Sequence, residues 1–556
     1  MDLPGTSCHR LPPERGPNRV LAMSAMTQSG RRRFAPIERL LDALADSARR
    51  ERTVLAVLLG YVVLWTLYGA VAKGSQDIHA DMSEQFALSR ELALGYPKHP
   101  PLAMAVVRAW FSIFPTADWA YYLLAMANVG LALWIAWRLC ARFLDGEKRV
   151  IGLALLTLVP FFNFHGLKFN VNTILLPLWG ATTLWFLRSF ESRRVLDAAL
   201  AGLFAAAAMY GKYWSIVLLL GLGIAALIDR RRAAYFSSPA PWVTIAVGAL
   251  ALAPHFAWLI ANGFAPFSYA VTLHGEGSLA SALATSLTYL AGSVAYVAVP
   301  LLLVLFIARP SAAAVKDMAW PASPQRRLAA AAFWAVLLTP AVIAPLAGVR
   351  LVSLWSMSAF SLLPVMLLSS PLVSLTRRDV AGVLTVAVAF PFVMVALAPA
   401  IAFIIHRAGP APGSAHSSVL AEPIERLWRE TTDAPLRIFS GFDEFTDGVT
   451  FYMRSHPLAV HVLDGRASPA LEERIARDGI ALLCPARGSG ADWCADLAAA
   501  RALCSPAAKQ AEIEISRSYL GVEGKPARYL LITIAPRQGE TPRSELPADC
   551  PGVRAR

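Results

Sequence analysis

From Val54 to Val71 the chain is an almost unbroken apolar run, and runs like it recur as far as about residue 404, separated by short polar or basic stretches. A membrane-crossing helix needs about 20 such residues for roughly 30 Å of hydrocarbon, so the pattern predicts a mainly α-helical, polytopic membrane protein. Arginines and lysines cluster at 138–149, 188–194, 230–232, 309–327 and 377–378. With the N-terminal arginines they are expected on the cytoplasmic side, which requires an even number of crossings between neighbouring clusters. That requirement decides the ambiguous stretches. Between Asp197 and Ile228 only Lys212 is charged. One helix there would measure roughly 46 Å, far more than a bilayer core, and would put Arg193 and Arg194 opposite Arg230, Arg231 and Arg232. Two short spans turning near Gly211 and Lys212 satisfy both constraints. The same logic splits 150–187 at NFHGLKFNVN (163–172).

The predicted spans are 54–72, 118–137, 150–163, 173–188, 196–210, 213–229, 242–260, 286–307, 328–348, 352–371 and 380–404, about eleven in all. They carry the chain from a cytoplasmic N-terminus to an extracytoplasmic C-terminus. Between the first two, 82–94 and 102–114 read as amphipathic helices lying on the membrane surface. Beyond about 408 the pattern changes to that of a small soluble α/β domain. Strand-like LRIFSG (436–441), LAVHVL (458–463), IALLCPA (480–486) and YLLITIAP (529–536) alternate with helical PALEERIARDG (469–479) and ADWCADLAAARALC (491–504). The expected division is a basic segment at 1–53, a membrane domain at 54–405 and an extracytoplasmic domain at 406–556. No apolar core precedes Val54, so the first run reads as a signal anchor, with Met23 or Met26 as candidate starts.

Composition agrees: 56% of the 556 residues are hydrophobic and 16% charged. The net charge of +13 sits in short loops, where topology and anionic lipid explain it better than nucleic acid does. Six cysteines include no CxxC pair, which argues against a zinc knuckle or redox motif. Cys484, Cys494, Cys504 and Cys550 fall in the C-terminal domain, where an oxidising compartment would allow one or two disulfides of unreadable pairing.

This topology collects the unusual polar residues at the outer face. Asp77, Asp81, Glu84, Lys98 and His99 lie in the first outer loop; His165, Lys168, Asn170 and Asn172 lie in the second. Lys212 is at the third, His255, His274 and Glu276 are at or near the fourth, and Arg350 is at the fifth. Asp81 and Glu84 are three apart and would share a helix face. Lys98-His99-Pro100-Pro101 is either a stiff turn or a rigid presentation of an ammonium and an imidazole to a phosphate. Asn172, just before a span, is well placed to cap it. Lys212, alone between two minimal apolar spans, is costly there unless paired or functional.

DMSEQFALSRELALGYPKHPPL (81–102), FHGLKFNVNTILLPLW (164–179), GKYWS (211–215) and PHFAWL (254–259) resemble, in that order, the membrane glycosyltransferases of the dolichyl-phosphate-mannose-protein mannosyltransferase superfamily. The nearer likeness is to the bacterial branch with the lipid A aminoarabinose transferase and the lipopolysaccharide galacturonic acid transferases, and it covers about 50–405. The resemblance implies a GT-C-like bundle that moves a monosaccharide from a polyprenyl-phosphate donor to a lipid or glycan acceptor, without a cofactor, at the periplasmic face of a bacterial inner membrane. It implies Asp81 as the base, with Glu84 beside it, and Lys98, His99, Lys212 and Arg350 facing the donor phosphate. His165, Lys168, Asn170, Asn172, His255 and His274 are then candidates for substrate binding. Relatives carry an Asp where this chain has the Asn170/Asn172 pair, and the Asp-x-Asp metal pattern is absent. Other readings are a flippase for lipid-linked sugars and a protein O-mannosyltransferase.

Overall fold

The computed structural model describes residues 35–275, 278–463, 468–503 and 508–537. Six of the described helices are long and apolar enough to cross a membrane: Arg50–Ala72, Asp118–Cys140, Ala240–Ala261, Leu279–Tyr296, Pro324–Ala347 and Arg377–Ala408. The other predicted spans appear as shorter pieces. Gly146–Thr157 and Leu175–Ser192 flank an irregular segment, and Val195–Gly211 and Ile216–Ile228 flank Lys212. Lys212 has extended backbone (φ −163°, ψ 139°), so the apolar stretch 197–228 breaks where the charge-side argument requires it. Two expectations shift. The span at 286–307 is interrupted at Val297, and 352–371 is a 3-10 helix at Ser353–Leu362 followed by a short α-helix at Leu363–Leu368.

The basic clusters meet at one end of the bundle. Arg142 pairs with Glu191, Arg231 reaches the Pro324 carbonyl (3.2 Å), and Arg326 reaches Ser369 (3.0 Å). Lys148 donates to the Ser370 carbonyl (2.9 Å), and Arg377 holds Glu38, Asp42 and Glu147 at 2.9, 2.5 and 3.2 Å. Cysteines introduced at the exposed positions Arg194 and Arg378 are therefore expected to resist a membrane-impermeant thiol reagent, while Lys98→Cys and Arg487→Cys react. Labelling of both pairs in intact cells would refute the shared end.

The core of the bundle runs along Arg50–Ala72. Trp65 is fully buried, with its ring edge-on to Tyr68 and Phe164 and tilted against Phe390. The two short helices expected in this loop form at Ala80–Ser89 and Leu102–Phe111, both shorter than predicted. Met82 and Phe86, one turn apart, bury one face of it, and the Tyr121 hydroxyl donates to the Met82 carbonyl (2.7 Å). Asp81 and Glu84 are left on the open side.

The C-terminal domain has a five-stranded sheet of order β2-β1-β3-β7-β4. Here β1 is Ile438–Gly441, β2 Leu458–Ala459, β3 Ile480–Pro485, β4 Ala508–Ile515 and β7 Ala527–Ile534, with a small hairpin of β5 (Ser518–Tyr519) and β6 (Val522–Glu523). β1 runs parallel to β2 and β3, and β7 antiparallel to β3 and β4. Alternation along β3 sends Ala481 and Leu483 to one face, under helices Ser417–Thr431 and Asp443–Tyr452. Ile480, Leu482 and Cys484 go to the other, under Pro469–Asp478 and Asp492–Leu503. Cys484 and Cys494 form a disulfide; Cys504 and Cys550 lie outside the described residues. Helix Asp443–Tyr452 docks on Ala80–Ser89, Phe451 meeting Phe86 edge-on at 5.0 Å.

Candidate active site

His79 caps the helix that carries Asp81: its Nδ1 accepts from the Asp81 backbone N–H (3.2 Å). An acidic residue in the first turn suits the positive end of the helix dipole. The Asp81 side chain is half-exposed, and its Oδ2 accepts from Asn170 Nδ2 at 2.8 Å. Asn170 is itself fixed, since its Oδ1 takes the backbone N–H groups of Asn172 (2.9 Å) and Thr173 (3.0 Å). Asn170, rather than Asn172, is therefore the residue that organises the entry to Leu175–Ser192. Asn172 is free to accept from Lys212 Nζ at 2.7 Å. Lys212 also lies 5.0 Å from the Trp355 ring centre. Burial pushes its ammonium down to about 8, which the Asp81 charge partly opposes.

On the other side of Asp81, Lys98 Nζ is 2.5 Å from Glu84 Oε1 and His99 Nε2 is 3.2 Å from Glu84 Oε2. Burial alone would raise the Glu84 carboxyl, but the hydrogen bonds and charges of His99 and Lys98 hold it at about 2. Burial would lower Lys98, and Glu84 outweighs it to leave the ammonium above its ordinary value. The two acidic candidates thus differ: Glu84 is committed to Lys98 and His99, whereas Asp81 accepts one neutral amide. Lys98 also approaches the Tyr269 ring (5.7 Å).

The loop carrying Lys98 is pinned from below. His255 Nδ1 lies 2.6 Å from the Leu94 carbonyl and Nε2 3.0 Å from the Tyr213 hydroxyl, so both ring nitrogens are engaged in holding structure. Gly95 sits on Trp258 so closely that an added Cβ would come within 2.4 Å of the indole. His274 meets Trp355 edge-on (4.9 Å), and the Arg350 backbone N–H bonds the His274 carbonyl (2.8 Å). The Arg350 guanidinium donates to the Leu273 carbonyl (3.1 Å). His165 packs against Phe161 and Tyr296, with Lys168 three residues on. Glu276 lies outside the described residues.

Sequence reasoning overlooked Lys73, His79, Tyr269 and Trp355. His79 could have been found from its place two residues ahead of Asp81, and Lys73 from its place directly after the first span. It also missed how tightly the C-terminal domain grips the approach to Asp81. Asp77, 2% exposed, pairs with Arg517, which also donates to Ser418 Oγ (2.7 Å) and the Ala415 carbonyl (2.9 Å). The Asp77 N–H bonds the Ser414 carbonyl (2.8 Å), and the Ile78 N–H bonds the Tyr452 hydroxyl (2.8 Å). Removing one partner of a buried pair typically costs ~3–5 kcal/mol. Arg517→Met is expected to lower the thermal unfolding midpoint and to speed proteolytic release of the C-terminal domain. An unchanged midpoint and cleavage pattern would mean that this pair holds nothing.

An apolar helix bundle with two short helices in the loop after its first long helix and an α/β domain at the same end is a GT-C-like fold. Residues 98–258 match the dolichyl-phosphate-mannose-protein mannosyltransferase family. The whole architecture resembles ArnT from Cupriavidus metallidurans, solved bound to undecaprenyl phosphate and in the apo state. The first superposes with a TM-score of 0.57 at 12% identity, over 89% of this chain and 100% of that one. The second gives 0.56 at 13% identity, over 87% and 98%. At such identity the likeness is one of fold. No curated protein sequence matches the chain.

Proposed function

We propose that the protein is an inverting membrane glycosyltransferase that moves a monosaccharide from a polyprenyl-phosphate donor to a hydroxyl or phosphate of an envelope lipid or glycan, at the outer face of a bacterial inner membrane. The observation that carries this reading is the setting of Asp81. Its half-exposed carboxylate is oriented by Asn170 and flanked by Lys98 on one side and Lys212 on the other. A donor of this kind fits the relative's undecaprenyl phosphate.

In this mechanism the acceptor oxygen gives its proton to Asp81 and attacks the anomeric carbon from the face opposite the phosphate. The bond from that carbon to the phosphate oxygen breaks, and its electron pair leaves with the lipid phosphate. Lys98 and Lys212 offset the charge that develops there, most strongly in a site shielded from water. Glu84 and His99 keep Lys98 charged and aimed, which is a positioning role. Purified enzyme given a radiolabelled polyprenyl-phosphate sugar and an envelope lipid extract tests the reaction. Release of free polyprenyl phosphate with label in the acceptor fraction is expected; movement of intact donor across the bilayer without cleavage would instead identify a flippase.

A further inference from the structure

A short helix, Ala312–Ala319, lies at the end of the bundle where the basic clusters meet, and the Ser311 hydroxyl caps it by accepting from the Ala314 N–H (3.2 Å). Its two faces differ. Val315 and Met318 border an apolar groove together with Phe333 and Leu337 of helix Pro324–Ala347. Lys316, Asp317 and Trp320, spaced three and four apart, share the other face. A two-faced helix of this kind beside an apolar bundle belongs at the depth of lipid headgroups. Two tryptophans mark the same level: Trp320 is half-exposed, and the Trp334 indole N–H donates to the Ala319 carbonyl (2.8 Å).

The polar face opens on a cavity of about 420 Å³ whose lining also includes Arg230 and Arg327. Three separate segments thus bring a cation to it. Asp317 is the one carboxylate in the lining among the described residues, and it is taken up by Arg326 (2.7 Å). Arg327 is held in place, its Nε donating to the Pro321 carbonyl (3.0 Å) and its Nη2 to the Ala322 carbonyl (2.6 Å). Arg230 and Lys316 are exposed, and among the described residues neither has an ion pair. The cavity also joins two helices whose far ends reach Lys212. Ile216–Ile228 starts four residues after Lys212 and ends beside Arg230, while Pro324–Ala347 starts beside Arg327 and leads towards Trp355, over which Lys212 lies. They pack so closely that a Cβ on Gly221 would come within 2.7 Å of the Val336 nitrogen.

Basic pockets between helices at this depth suit anionic headgroups. We propose that the cavity binds the phosphate of an anionic phospholipid of the adjoining leaflet, held by Arg230, Lys316 and Arg327, and that the bound headgroup fastens Ile216–Ile228 to Pro324–Ala347. A lipid is favoured over a free anion because the cavity shares its helix with the half-exposed, apolar Val315 and opens beside Trp320. The proposal does not depend on the reaction proposed above.

The test reconstitutes the full-length protein in nanodiscs of phosphatidylcholine with a minor share of phosphatidylglycerol. Native mass spectrometry after gentle extraction reads the lipid retained, and the thermal unfolding midpoint is measured in parallel. The unaltered protein should keep phosphatidylglycerol in preference to phosphatidylcholine and unfold at a higher temperature with it. Arg230→Gln with Lys316→Gln should lower that preference by about tenfold to a hundredfold, the loss of two charges at a headgroup, and erase the rise in midpoint. Arg230→Lys with Lys316→Arg should keep both effects. Arg194→Gln with Arg378→Gln removes the same charge from exposed positions at the same end and should change neither. An equal loss in that control pair would reduce the effect to diffuse attraction by a basic surface and overturn the proposal. Equal retention of the two lipids by the unaltered protein would overturn it as well. Glycerol phosphate, which has the headgroup chemistry without acyl chains, separates the sources. If it raises the midpoint in phosphatidylcholine alone as much as phosphatidylglycerol does, the cavity takes a soluble phosphate and the lipid assignment falls.

Discussion

Asp81→Asn is expected to reduce sugar transfer by roughly 10²–10⁴, the usual loss when a general base is removed. The substitution preserves the shape of the side chain and still lets the Asn170 amide donate to its oxygen. What disappears is basicity, which matters as the acceptor proton moves. Turnover should therefore collapse while donor affinity stays near its original value. Glu84→Gln is the control, because Glu84 is held at about 2 by His99 and Lys98 and is a poor base at neutral pH. Its effect should be smaller and should fall on donor use, through the loosened Lys98. Near-normal turnover in Asp81→Asn with a large loss in Glu84→Gln would move the base to Glu84. Normal turnover in both would remove the mechanism.

Lys98→Ala and Lys212→Ala are expected to weaken donor binding by about tenfold to a hundredfold each, corresponding to the ~1.5–3 kcal/mol of a charge-assisted contact. Arg should restore only part of this, since a planar fork does not replace a compact ammonium. Lys212 adds a pH dependence with a definite sign. Its ammonium is lowered to about 8, so it is charged below that pH and neutral above it. A phosphate prefers the charged form, so donor affinity should fall as pH rises through about 8, and that limb should vanish in Lys212→Ala. A limb that persists unchanged in the variant would assign the titration to another group. Wild-type donor dependence in both alanine variants would make these lysines interfacial anchors.

The membrane bundle was legible because its signals are periodic and additive. The turn at Lys212 followed from counting crossings between basic loops, and those loops do meet at one end. Asp81, Glu84, Lys98 and His99 were legible as neighbours because a helix and a stiff loop bring them together locally. The different commitments of Asp81 and Glu84 were not, because they depend on which partner each meets across space. His255 shows the same limit: a histidine near an outer loop reads as a ligand-binding group, and only the fold reveals that both its nitrogens hold Leu94 and Tyr213. In the C-terminal domain, β4 was overlooked although the alternation in AKQAEIEI is what an edge strand half open to solvent shows. Helix Asp443–Tyr452 escaped because its packing surface is the membrane domain rather than its own sheet alone.

The grip of residues 402–418 and Arg517 on the approach to Asp81 has a consequence for biosynthesis. Ser75 bonds the Ala402 carbonyl, Asp77 bonds Ser414 and pairs with Arg517, and Ile78 bonds Tyr452. The loop carrying Asp81 leaves the ribosome early, yet its final shape waits for contacts made by segments hundreds of residues later. A nascent chain whose C-terminal domain has not yet folded has every charged group of the loop that carries Asp81, but not the frame that aims them. On the proposed mechanism, competence for transfer should arrive last, and truncation after the final membrane helix should leave an inserted but inactive protein.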